Sequence, residues 1–166
     1  MKRILLAFSI LSAMCFASLP AQAGTASTTL TVSVSVSDGC IVSSYPISFP
    51  AYNALTTNLT TPDDNSAGYV QLQCSTGIAP TIGLDLGNNV SGSVAHMALG
   101  TNYLSYAIYQ DASRITIWGN TSSNWKVVSA FPNSNAQYFP IYARIPAGQG
   151  VPSGTYADTI TATVNF

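Results

Sequence analysis

The side chains that could carry chemistry are few. The single histidine, His96, stands in Ser93-Val94-Ala95-His96-Met97. A base or metal ligand would need a nucleophile elbow or further ligands at motif spacing, and neither pattern surrounds it. It is expected in a loop. Asp63, Asp64 and Asn65 bring three oxygen-bearing side chains together behind Pro62, but a calcium loop also uses a bidentate glutamate, and the chain has no glutamate. A solvated turn is the expected form of that run. Trp118 and Trp125 could stack a sugar; because each borders a strand candidate, core packing or a loop anchor is the expected role. Asn58-Leu59-Thr60, Asn89-Val90-Ser91 and Asn120-Thr121-Ser122 match a glycosylation sequon. In a chain so rich in Asn, Ser and Thr, such matches arise by chance. No catalytic, cofactor-binding or metal site is expected, and the chain is not read as an enzyme.

Residues 1–23 combine Lys2 and Arg3, an apolar run over 4–16, and Ala21-Gln22-Ala23. Those are the three parts of a secretory signal peptide, with cleavage expected after Ala23. Its removal takes away Cys15 and leaves Cys40 and Cys74. In an exported protein an even pair is expected to form a disulfide. Two thiols and one distant histidine do not make a zinc site.

Past the leader, three cations (Arg114, Lys126, Arg144) face six aspartates, a formal balance of −3. With no basic cluster, a nucleic-acid partner is not expected. So little charge also gives weak protection against edge-to-edge association of strands. The length beyond the leader suits one domain.

The elements follow a period of two. Residues 29–37 alternate Leu30, Val32, Val34 and Val36 against a Thr/Ser row, as a strand with one apolar face does. This segment is either the first strand of an all-β domain or a donor strand that completes the sheet of a neighbouring molecule. Strands are further predicted over 40–49, interrupted at Pro46, and over 69–74, 81–86, 103–109, 115–118, 125–131 and 139–145. In 69–74, Val70, Leu72 and Cys74 share the inward face. No helical stripe persists for three turns. Many short strands parted by turn signals predict a sandwich or barrel. The last strand, 155–166, sets Tyr156, Ile160, Ala162, Val164 and Phe166 on one face, with Asp158 an exception. Its open edge would leave backbone groups and apolar side chains uncovered. A spare strand at the front and an uncovered edge at the back can pair head to tail, and such heterologous contacts build filaments.

Three stretches carry a family likeness. They are the alternating segment into Asp38-Gly39-Cys40; Leu104-Ser105-Tyr106-Ala107-Ile108-Tyr109-Gln110-Asp111, running on to Trp118-Gly119; and Tyr142-Ala143-Arg144-Ile145-Pro146-Ala147-Gly148-Gln149, followed by Gly154-Thr155-Tyr156-Ala157-Asp158-Thr159 and Val164-Asn165-Phe166. Over 25–166 the chain resembles the spore coat protein U family, which includes the pilins of archaic (Csu-type) chaperone–usher pili. Ala143 stands where family members often carry glycine.

The resemblance implies an all-β, incomplete immunoglobulin-like β-sandwich lacking its last strand and completed by donor-strand complementation. It also implies export through the periplasm, capping by a periplasmic chaperone and polymerisation at an outer-membrane usher. On this reading 24–38 is the donor segment, 39–166 the sandwich, and Tyr156, Ile160, Ala162, Val164 and Phe166 edge the acceptor groove. The expected partners are copies of the chain or related subunits, with no small-molecule substrate. The expected product is a surface fibre serving adhesion and biofilm formation; a spore-coat or other extracellular coat protein, or a minor adaptor or adhesive subunit, is the alternative.

Overall fold

Strands of two to eight residues make up the computed structural model, which describes residues 25–166. The expected signal peptide lies outside the described residues. The chain divides into two units, one ending at Ser35 and the other Val36–Phe166. In the first, residues 25–35 carry no strand, and Leu30, Val32 and Val34 are each 87–88% exposed. The alternation predicted there is present in sequence, but no ladder takes it up.

The second unit holds three antiparallel sheets. β1 (Cys40–Tyr45), β3 (Tyr69–Cys74) and β9 (Gln137–Pro140) form one, in the order β1-β3-β9. β2 (Asp63–Asn65), β10 (Tyr142–Ile145), β7 (Asn102–Tyr109), β6 (Val94–Leu99) and β5 (Val90–Ser91) form the second, in that order. β11 (Ala162–Asn165), β4 (Thr81–Leu84) and β8 (Lys126–Val127) form the third. Among the described residues there is no α-helix, only a 3-10 turn at Ser122–Asn124.

One core gathers alternate residues from all three sheets: Val70 and Leu72 of β3, Ile82 and Leu84 of β4, Leu104, Tyr106 and Ile108 of β7, and Ile145 of β10. These are the inward rows that period two predicts. Trp118 fills the centre, buried, its indole N–H donating to the Ile82 carbonyl at 2.8 Å. Trp125 is half-buried at Gly83, where an added Cβ would meet its indole.

Several elements differ from expectation. The predicted strand 139–145 is two strands in different sheets, parted at Ile141, whose N–H donates to the Gly68 carbonyl. Pro140 brings no N–H to continue the first ladder. The turn expected at 62–65 is β2, with Asp64 directly opposite Arg144 across the ladder. That cross-strand charge pair favours strand pairing in a segment of low strand propensity. His96 lies in β6 opposite Ser105, not in a loop. Of 115–118 only an isolated bridge, Tyr109 to Ile117, remains, and 125–131 shrinks to β8. Of 155–166, β11 and a bridge between Ala98 and Ala157 are paired. Phe166, expected on the inward face, is 63% exposed beyond the end of β11.

Candidate functional site

Two sheet edges bound an apolar concave feature of Val36–Phe166. β1 is the outer strand of its sheet and β11 the outer strand of another, so each has one side without a ladder partner among the described residues. Between them runs a groove of about 390 Å³. One wall is Tyr45, Ile47 and Phe49, at the end of β1 and just past it; the other is Tyr156, Ile160 and Ala162. Val70, Leu84, Met97, Tyr106 and Ile141 line it between the walls. Its surface is mainly apolar, and the β1 and β11 edges beside it each have one side without a ladder partner among the described residues, which is what an added strand requires.

The sequence explains why the groove stays open. Pro46 ends β1, and the chain continues as Ile47-Ser48-Phe49, whose alternate apolar residues pack against the core without joining a ladder. Val42 lies opposite fully buried Leu72 and so shares its inward face, yet it is 45% exposed. An inward residue that remains wet marks an uncovered core.

Of the residues expected to edge the groove, Tyr156, Ile160 and Ala162 line it. Val164 packs against the core in β11 but is not part of the lining, and Phe166 stands clear. The opposite wall was missed. Its signal was the apolar row Tyr45, Ile47, Phe49 running through the proline.

Asp158, the exception in the sequence pattern, is also placed by the structure. Its carboxylate lines the groove and accepts hydrogen bonds from the Tyr106 hydroxyl (2.7 Å), the Asn88 backbone N–H (3.0 Å) and the Asn89 side-chain amide (3.0 Å). Burial, and then the neighbouring Asp158 carboxylate, push the Tyr106 phenol above its ordinary pKa, so it stays a hydrogen-bond donor. Gly87 has φ +79°, and a Cβ there would collide with the Asp158 carboxylate. These contacts fix the irregular segment that forms one groove wall.

Cys40 and Cys74 lie opposite each other on β1 and β3 and are joined by a disulfide, with Cα atoms 4.1 Å apart. The bond ties the edge strand β1 to the centre of its sheet. On β2, Asp64 accepts from Arg144 Nε (2.7 Å) and Nη2 (2.9 Å) and lies 3.2 Å from Arg114 Nε. The Arg144 hydrogen bond holds its carboxyl below the usual carboxylate range. Asp63 is buried, with Oδ2 lacking a partner, and that burial raises its pKa. No group of three metal-ligating side chains occurs among the described residues, and no described helix is long and apolar enough to cross a membrane. Asn58, of the first sequon, is buried, with its amide committed to Asn53 N and Thr61 O.

Leu30, Val32, Val34 and Val36, the expected donor row, are 86–88% exposed.

Comparison with known proteins bears on this geometry in three ways. The Spore Coat Protein U domain model matches residues 26–163. Protein U of Myxococcus xanthus is 32% identical over 165 residues, covering 89% of this chain and 88% of that protein. A solved chain from the CsuC–CsuE chaperone–tip adhesion subunit pre-assembly complex of the archaic chaperone–usher Csu pili of Acinetobacter baumannii superposes with a TM-score of 0.56 at 20% identity, over 79% of this chain. This chain spans 40% of that one, and at such identity the likeness shows the all-β, immunoglobulin-like fold alone. With its domain model covering most of the described sequence and a full-length relative at that identity, the chain belongs to the Spore Coat Protein U domain family.

Proposed function

We propose that the protein is a structural subunit of an exported surface assembly, polymerising as residues 29–37 of one copy enter the groove between β1 and β11 of the next. The observation that carries this reading is the match between an uncovered apolar groove flanked by the outer strands β1 and β11 and an exposed row of four aliphatic side chains that has no ladder. Residues 24–38 are the donor segment on this reading, and 39–166 the acceptor domain. Until a donor arrives the groove needs a cover. A periplasmic chaperone supplies it, and an outer-membrane usher is the site of exchange. The product is a surface fibre that supports adhesion and biofilm formation. A coat layer built by the same strand exchange is the second reading, favoured by the 32% identity to Protein U and by the family's description.

The test adds a synthetic peptide spanning residues 28–38 to the purified exported protein. Native mass spectrometry is expected to show a one-to-one adduct, and hydrogen exchange is expected to slow at 156–164. A peptide with aspartate at positions 32 and 34 is expected to bind neither measurably nor protectively. Equal binding of both peptides would sink the proposal.

A further inference from the structure

A second recess, of about 450 Å³, shares no lining residue with the groove and is lined by Asn88, Asn89, Val90, Ser91, His96 and Tyr103. We propose that it binds a neutral saccharide. Its size falls within the range of small-molecule sites, roughly 300 to 1,000 Å³. None of the six lining residues is Asp, Lys or Arg, so a strongly charged ligand would find no counter-charge there. A wholly apolar ligand would strip water from two amides, a hydroxyl, an imidazole and a phenol and return no hydrogen bonds.

A sugar fits both kinds of surface. Tyr103 is 53% exposed, and its ring meets His96 at 76° with centroids 6.0 Å apart, so the two rings make a corner. Aromatic faces of this kind take the C–H side of a pyranose, while amides, which both donate and accept, suit its hydroxyls. Among the described residues, the side chains of Asn88, Ser91, His96 and Tyr103 make no hydrogen bond to protein, so their capacity is free.

The recess is also pre-organised. The Asn89 side-chain amide and the Asn88 backbone N–H both donate to Asp158 Oδ1 at 3.0 Å, which pins the loop carrying two of the polar groups. His96 and Tyr103 stand on the paired strands β6 and β7, where register fixes their spacing. Rigid placement lowers the ordering cost of binding. This inference stands apart from strand exchange, because none of the six residues lines the groove.

The experiment passes the full exported protein over immobilised neutral mono- and oligosaccharides based on glucose, galactose, mannose and N-acetylglucosamine. Sulfated and sialylated glycans serve as charged controls. Retention on at least one neutral glycan is expected, with affinity reduced about tenfold or more in Tyr103→Ala and in Asn88→Ala. Tyr103→Phe, which keeps the ring, should bind within a few-fold of wild type, and Tyr138→Ala, on β9, should bind as wild type. If Tyr103→Ala is not exported, Asn88→Ala decides. No retention on any neutral glycan, retention on charged glycans only, or full retention by Asn88→Ala would overturn the proposal.

Discussion

Val34→Asp and Ser33→Asp place the same charge on adjacent residues whose side chains, in an extended strand, point to opposite faces. If 29–37 enters the groove, Val34 becomes buried and Ser33 stays outside. Val34 is 87% exposed in the single chain, so almost its whole surface is available for burial. Losing that burial forfeits roughly 1.5 to 3 kcal/mol. A carboxylate entering a groove lined by Val70, Leu84 and Ile141, which already holds Asp158, adds a desolvation cost of at least similar size. A total of about 3 kcal/mol or more corresponds to a loss of roughly a hundredfold or greater in subunit association. Ser33→Asp should remain within about tenfold of wild type, its charge facing water. Surface assembly is read by immunoblot of sheared material and by negative-stain microscopy, with the intracellular pool of each variant as the control for folding. Equal assembly by the two variants would refute the reasoning and return 29–37 to the role of an ordinary strand or linker.

Other perturbations probe the fold that supports the groove. Replacing Cys40 and Cys74 together by serine opens a link across 34 positions and should lower stability by about 3 to 4 kcal/mol in the chain-entropy model, measured by denaturant unfolding. Trp118→Ala should cost about 3 to 5 kcal/mol, because it empties the centre of the core and strands the Ile82 carbonyl; export yield and thermal unfolding report it. For Asp63, burial raises the folded pKa, so its contribution to stability is full below the unfolded value of about 3.9 and is lost as pH rises through the higher folded value. Asp63→Asn should therefore melt above wild type at pH 7, with the gap closing towards pH 3.

The sequence disclosed what depends on neighbours along the chain. Period two placed β3 at Tyr69–Cys74 with Val70, Leu72 and Cys74 inward, and it set the inward row of β7 through Leu104, Tyr106 and Ile108. It also gave the phase of 139–145, where Ile141, Ala143 and Ile145 are buried. It did not reveal that the ladder changes sheet at Ile141, because that depends on which backbone the residue meets, here Gly68. β2 escaped notice because Asp and Asn have low strand propensity, and the partner that overrides it, Arg144, lies 80 residues away. β5 and β6 escaped because Asn, Ser, Ala and His give no clear alternation. One groove wall, Tyr156 to Ala162, was legible as a late apolar row, whereas the other, beyond Pro46, reads locally as a broken strand. Only the three-dimensional arrangement brings those walls face to face. Asp158 looked like an interruption for the same reason, since its partners Tyr106, Asn88 and Asn89 come from separate parts of the chain.

The central claim is that a strand from another copy fills the groove, and a structure of the assembled material by electron cryomicroscopy tests it most directly. The expected density shows residues 29–37 of one copy laddered between the β1 edge and the β11 edge of the next, with Leu30, Val32, Val34 and Val36 directed onto Val70, Leu84 and Ile141. Density showing the groove empty, or filled by residues 29–37 of the same copy, would contradict the account.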